Sequence, residues 1–265
     1  MFAKTKDQRP KTKDQRPKTK DLRDEKGFTL IELSIVIVII GLIVAGVVGG
    51  QSLVKQAKLK ELTMQINKYK IALNAFELEY NSIPGDMRNA SSYWSTCVDE
   101  PNNACNGNGN KQLESDVSTA EIVRYWQHLS LAGLIDGSYD GSISPTRVKP
   151  GINMPKGSVV ESVFYVLPNR LAVLNGSTIP RGQFLLSYNA MPGCNNLPNF
   201  GALTPKETFN IDLKLDDGEP STGAILGSPS TTAPGNCSPV TACTSGGEYL
   251  LDEDGLTCRM FYLLR

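Results

Sequence analysis

Cysteine is missing from the first 96 residues, histidine occurs once in the whole chain, at His128, and no proline interrupts residues 28–80. These gaps exclude particular chemistries. With a single histidine and no two cysteines three positions apart, the usual zinc-ligand spacings cannot be assembled. His128 reads as a surface or packed helix residue, because no acid or nucleophile stands at a spacing that singles it out as a base. No convergent catalytic set is visible, and we expect no enzyme. After residue 27 there is also no concentrated basic stripe of the kind that displaces counterions from a duplex, so no nucleic-acid partner is expected. The Asn106–Asn110 run is turn-rich but lacks the Gly-Lys-Ser/Thr ending of a phosphate loop.

What is present is unevenly distributed. Met1–Gly27 carries ten Lys/Arg against five Asp/Glu, and the remaining 238 residues carry 17 against 22. A basic leader thus precedes an acidic body. Residues 5–26 repeat Thr-Lys-Asp-Gln-Arg-Pro-Lys with period seven, but no apolar position recurs and Pro10 and Pro17 break any helix. From Phe28 to Gly50 the chain is apolar with one charge, Glu32. About 20 such residues suffice to cross a hydrocarbon core as a helix, and the basic residues before them hold the N-terminus in the cytoplasm. We therefore expect a single-pass membrane protein whose body is extracytoplasmic.

Leu59, Leu62, Ile66, Tyr69, Leu73, Phe76 and Tyr80 recur at intervals of three and four. This is an amphipathic stripe, which predicts one helix over 28–80 ending at Asn81, Ser82 and Pro84-Gly85. Its expected partner is the chain's own sheet. A second helix is predicted from Ser118, capped with Glu121 three residues on, through Leu129 to Gly133. Short β-rich runs follow: Val159–Leu167, Gln183–Tyr188, Phe209–Leu215, Glu248–Leu251 and Cys258–Leu264. The expected fold class is α+β, a long N-terminal helix packed on a small antiparallel sheet with long loops.

All six cysteines, Cys97, Cys105, Cys194, Cys237, Cys243 and Cys258, follow the apolar segment. An even count on one side of a membrane points to disulfides in an oxidising compartment. Cys97 with Cys105 is the best local pair. Three pairings remain for the other four, of which Cys243 with Cys258 is preferred.

The stretch Lys26-Gly27-Phe28-Thr29-Leu30-Ile31-Glu32-Leu33 resembles the type IV pilin and type II secretion pseudopilin family: a basic leader ending in Gly, an apolar residue directly after it, the Thr-Leu-Ile-Glu run, then a membrane helix. The likeness covers residues 20 to about 80 well. The body matches loosely through Trp126-Gln-His-Leu, Ala132-Gly-Leu-Ile and Ile211-Asp-Leu-Lys-Leu-Asp-Asp-Gly. The resemblance implies that a prepilin peptidase cuts after Gly27, that Phe28 becomes the N-methylated first residue, and that Glu32 is the buried acid of assembly. Three parts follow: a leader, 1–27, that is removed; a transmembrane assembly helix, 28–53; and an extracytoplasmic body, 54–265.

An ionisable side chain costs roughly 2.5–3.5 kcal/mol at the middle of a span and less toward its ends, so Glu32 should have a partner. The Phe28 amine freed by cleavage, in the same or a neighbouring subunit, is the expected one. The implied partners are the peptidase, other pilin or pseudopilin subunits and the inner-membrane assembly machinery. Secretion-type major pseudopilins carry calcium in a late loop, and the resemblance makes Asp212, Asp216 and Asp217, or Asp252 and Asp254, its candidate ligands. Neither cluster follows the Asp-x-Asp-x-Asp-Gly pattern, and no other cofactor is expected. The alternatives are a minor pilin or adhesin presenting a ligand-binding body and, less favoured, a membrane-anchored enzyme.

Overall fold

The computed structural model describes residues 27–97, 105–114, 121–142, 149–159, 162–167, 172–174, 177–179, 184–189, 201–229 and 242–264. The repetitive leader, Ser118, Cys194 and Cys237 lie outside them. The chain divides into two compact units, Met1–Gln51 and Ser52–Arg265.

Helix α1 runs from Leu30 to Tyr80. In the first unit every described residue is exposed, including the apolar run Ile35–Ile40. In the second unit α1 is two-faced: Leu62, Ile66, Tyr69, Ala72, Leu73 and Phe76 are buried, three or four residues apart. Leu59 and Tyr80 are partly buried at the two ends of that stripe. The helix stops at Asn81, whose φ of 50° is the left-handed conformation favoured just past a helix end and whose N–H still bonds the Glu77 carbonyl at 2.9 Å.

The stripe is covered by more than the sheet. Tyr69 sits edge-on between Trp126 of α3 (Glu121–Leu131), at 4.9 Å, and Phe164 of β1 (Ser162–Leu167), at 5.0 Å. Tyr125, Trp126, Phe76 and Phe164 are all fully buried, and each such side chain contributes about 1.5–3 kcal/mol or more of transfer free energy. A one-turn helix, α2 (Ala90–Tyr93), lies between α1 and α3 in the chain. It brings Tyr93 and Trp94 against Tyr80, with centroids 5.3 and 5.2 Å away.

The remaining elements are β2 (Ala172–Leu174), β3 (Ser177–Ile179), β4 (Phe184–Asn189), α4 (Pro205–Leu215), β5 (Ile225–Pro229), β6 (Thr244–Ser245), β7 (Glu248–Tyr249) and β8 (Cys258–Leu263). The main sheet is antiparallel, in the order β1-β4-β8-β5. β8 is central, and Cys258 to Tyr262 are all buried, as a strand covered on both faces requires. β5 is an edge, which tolerates its terminal Pro229. β2 with β3 and β6 with β7 form two small hairpins, the latter turning at Gly246 and Gly247, both with positive φ.

One expectation is corrected. Phe209–Leu215 reads as a strand, with apolar residues at every second position, but Pro205–Leu215 is helix α4. Local capping decides it. The Thr204 hydroxyl accepts the Glu207 N–H at 3.2 Å, the Glu207 carboxylate accepts the Thr204 N–H at 2.8 Å, and Pro205 occupies the first turn. Within α4 the buried positions are Pro205, Glu207, Thr208, Ile211 and Asp212, a helical set, while Leu213 and Leu215 are exposed. Lys55 of α1 pairs with the same Glu207 at 2.9 Å, joining the two helices within the second unit. α3 forms where a helix is expected and ends close to the expected Gly133, whereas β5 has no counterpart among the expected strands.

Candidate functional site

The residues singled out for processing and assembly lie where the chain enters α1. Gly27, Phe28 and Thr29 precede the helix and are exposed. Thr29 is in the N-cap position: its side chain accepts the Glu32 N–H at 3.3 Å, and the Glu32 carboxylate accepts both the Thr29 N–H, at 2.8 Å, and the Thr29 hydroxyl, at 2.9 Å. Thr29 and Glu32 therefore form a capping box, which satisfies two backbone donors that the first turn of a helix leaves open. Phe28 is one residue away from this box. The signal Thr-x-x-Glu stands in the sequence, but reading Glu32 only as an assembly charge passes over it.

A side-chain carbon built on Gly27 would meet nothing within 4 Å, and the same holds for Gly41, Gly46, Gly49 and Gly50 on α1. Within the described residues no contact of this chain requires glycine at those places. In a helix interior each glycine costs about 1 kcal/mol relative to alanine. By length and composition, α1 is able to cross a membrane.

Residues 22–48 match the family described as the prokaryotic N-terminal methylation motif. The chain is prepilin-like. The motif is typical of type IV pilins and type II secretion pseudopilins, and the long apolar helix with small antiparallel sheets is a pilin-like α+β architecture. No curated protein and no solved structure matches the chain.

In the body of this prepilin-like chain, His128 on α3 is fully buried. Its Nδ1 accepts the Gly85 N–H at 2.8 Å, which leaves Nε2 to donate to the Cys105 carbonyl at 2.8 Å. Burial, with the nearby Arg124 charge adding to it and the Cys105 hydrogen bond opposing, brings its pKa down to about 4. A neutral imidazole thus pins the turn after α1 to the segment entering α3. Gly85 has a φ of +85°, and a side chain there would collide with the backbone of Glu121.

Two carboxylates complete this junction. Asp86 accepts the N–H groups of Asn110 and Lys111, at 3.1 and 2.7 Å, and Glu121 accepts those of Asn108 and Glu114, at 3.1 and 2.9 Å. Burial raises both pKa values against the opposing pull of these donors. The Asn106–Asn110 run, a loop by sequence, is thereby held from below. A disulfide joins Cys97 to Cys105, with Cα atoms 5.4 Å apart, at the same place.

A second disulfide, Cys243–Cys258, ties the β6–β7 hairpin to β8. The carboxylates of Asp212, Asp216 and Asp217 come within 4.8 Å of one another at the end of α4. Asp212 is buried and accepts from the Tyr249 hydroxyl at 2.7 Å and Gly218 N–H at 3.2 Å. Asp216 accepts the Ile225 N–H at 2.9 Å, and Asp217 accepts from Glu219 N–H and the Thr222 hydroxyl. As hard oxygen donors they suit calcium chemically, while their hydrogen bonds already account for the cluster as the clasp of the α4–β5 loop. Asp252 and Asp254 are exposed on the turn after β7.

Proposed function

We propose that this chain is the precursor of a filament subunit: a prepilin peptidase cuts after Gly27, the new Phe28 amine is methylated, and the mature chain joins a type IV pilus or type II secretion pseudopilus. The observation that carries the reading is the junction itself, a glycine that no contact among the described residues requires, followed by a phenylalanine and a helix start that matches the methylation motif. A glycine whose missing side chain serves no contact among the described residues fits a role in recognition by another molecule. The fully exposed apolar face of residues 30–51 fits the same account: it needs lipid while the subunit waits in the membrane and neighbouring helices once it is assembled.

In this reading the basic leader stays cytoplasmic and the body, which holds the Cys97–Cys105 and Cys243–Cys258 disulfides, lies outside the inner membrane. Glu32 attracts the Phe28 amine that cleavage creates, within its own chain or in the adjacent subunit. The glycines at 41, 46, 49 and 50 let helices of neighbouring subunits approach closely. The test is processing. Terminal sequencing and intact mass of the mature protein should show a chain beginning at Phe28 and heavier by one methyl group, and Gly27→Val should leave a full-length precursor in the membrane. Normal shortening of that variant would refute the assignment of the cleavage site.

A further inference from the structure

The cap at Thr29 sets where α1 begins, and α1 begins at Leu30, just beyond the Gly27–Phe28 bond. The Leu33 N–H bonds the Thr29 carbonyl at 3.2 Å, which is the helical spacing of four residues. One step earlier, the Glu32 N–H would reach the Phe28 carbonyl in a continuing helix. It is taken instead by the Thr29 hydroxyl at 3.3 Å, while the Glu32 carboxylate holds the Thr29 N–H at 2.8 Å. The box thus diverts the donor that would draw Phe28 into the helix. Gly27 and Phe28 stay outside it, exposed.

The surrounding sequence offers no stronger stop. No proline stands between Pro17 and Pro84, and the residues before Gly27 include Leu22, Arg23, Glu25 and Lys26, all good helix formers. Gly27 alone is a weak barrier, since a single glycine is tolerated inside a helix. From the other side there is a pull: residues 30–50 are apolar apart from Glu32 and Ser34, and in lipid an open N–H has no water to turn to. Without the Thr29 hydroxyl, the nearest acceptors for the N–H groups of Glu32 and Ile31 are the Phe28 and Gly27 carbonyls. Taking them winds the Gly27–Phe28 bond into the helix.

We propose that Thr29, through its cap with Glu32, is a positioning residue for processing: it keeps the Gly27–Phe28 bond unwound and open to the peptidase. Hydrolysis adds water to the Gly27 carbonyl carbon, breaks its bond to the Phe28 nitrogen, and leaves a carboxylate on Gly27 and an ammonium on Phe28. In a helix that carbonyl is engaged by the Ile31 N–H and walled in by the side chains of its own turn, whereas an extended segment presents it freely. The inference rests on the reading of this chain as a peptidase substrate and deepens it. The match to the methylation motif, over residues 22–48, spans the junction and the cap together.

The experiment uses the full-length precursor in detergent micelles with solubilised prepilin peptidase. Thr29→Val and Thr29→Ala lose the cap, whereas Thr29→Ser and Thr29→Asn keep it. Winding and unwinding are fast beside cleavage, so loss of the cap lowers the fraction of precursor able to bind. KM should rise by up to about fivefold with kcat nearly unchanged, and Ser and Asn should restore the wild-type KM. In the same micelles the carbonyl and α-carbon NMR shifts of Gly27 and Phe28 should move toward helical values in the Val and Ala variants alone. Prolonged incubation should still bring every variant to completion. A wild-type KM in the Val variant, or the absence of helical shifts from it, overturns the inference. So does an Asn variant as slow as the Val variant, which would mean that the peptidase reads the threonine side chain itself. A wild-type chain that is not cut after Gly27 sinks the precursor reading and this one with it, whereas normal cutting with one KM in all four variants sinks only the role of the cap.

Discussion

The Glu32 carboxylate accepts hydrogen bonds from both the backbone N–H and the hydroxyl of Thr29, at 2.8 and 2.9 Å, so the acid reserved by sequence for assembly also closes the first turn of α1. The two roles are separable. Gln also serves at the third position of a capping box, whereas it carries no charge.

Glu32→Gln should keep the cap, continue to be processed and melt like the wild type in detergent, while filaments become sparse. Thr29→Val removes the cap and keeps the charge. It should weaken the helix start by about 1 kcal/mol and leave filament yield much closer to normal. Electron microscopy with a parallel immunoblot decides between them: a filament count that follows the cap and not the charge would end the charge-pairing mechanism.

His128 gives the body a pH dependence whose direction is fixed. Its pKa falls from 6.5 to about 4 on folding, so the unfolded chain binds the proton more readily between those values and stability drops as pH falls from about 6.5 toward 4. The full effect is on the order of 3 kcal/mol. His128→Gln should be less stable at pH 7.5, having lost a buried hydrogen-bond arrangement, yet should show a smaller loss on acidification. Thermal melts of the solubilised mature protein at pH 4.5 and 7.5 provide the comparison, and equal acid sensitivity in the two proteins would exclude His128 as its source.

Asp212 acts in the opposite sense. Burial raises its pKa to about 6, opposed by the Tyr249 and Gly218 hydrogen bonds. The stability linked to its protonated form is present below the ordinary carboxylate value and is lost as pH rises through about 6. Asp212→Asn should therefore narrow the difference in melting temperature between pH 4.5 and 7.5 that arises on the alkaline side. The same melts in added calcium bear on the metal expectation: a calcium-dependent rise that Asp212→Asn and Asp216→Asn abolish would assign the cluster as a cation site.

The Cys97–Cys105 bond closes a loop of sequence separation 8 beside His128. For a loop this short, chain entropy predicts a loss of between about 2 and 3 kcal/mol when both are changed to Ser. The variant should melt lower and become protease-sensitive in the 97–114 region first. An unchanged melting temperature would place the stability of that junction in the His128, Asp86 and Glu121 hydrogen bonds alone.

What could be read in advance follows the range of the interactions. The α1 helix needed only local information: no proline, an apolar run, and a three-and-four spacing that ends at an asparagine able to adopt positive φ. The α+β class, the methylation motif and the strand at Cys258–Leu263 were equally local. Phe209–Leu215 shows where a local pattern misled, since its alternation is real but the Thr204–Glu207 cap two residues earlier commits the backbone to a helix before alternation can act. The Thr29–Glu32 box was likewise legible as Thr-x-x-Glu.

The three-and-four spacing from Leu59 to Tyr80 already marked the face of α1 that is covered. Tertiary structure alone decided what covers it: Tyr69 lies between Trp126 of α3 and Phe164 of β1, so that a helix joins the expected sheet on that face. His128 is the clearest case. Sequence supplied one histidine with no neighbour of consequence, and only the fold brings Gly85, 43 residues earlier, and Cys105, 23 residues earlier, to its two nitrogens. Hydrogen bonds of that separation depend on where long-range packing delivers two backbones, which periodicity and capping, both confined to a few consecutive residues, do not encode.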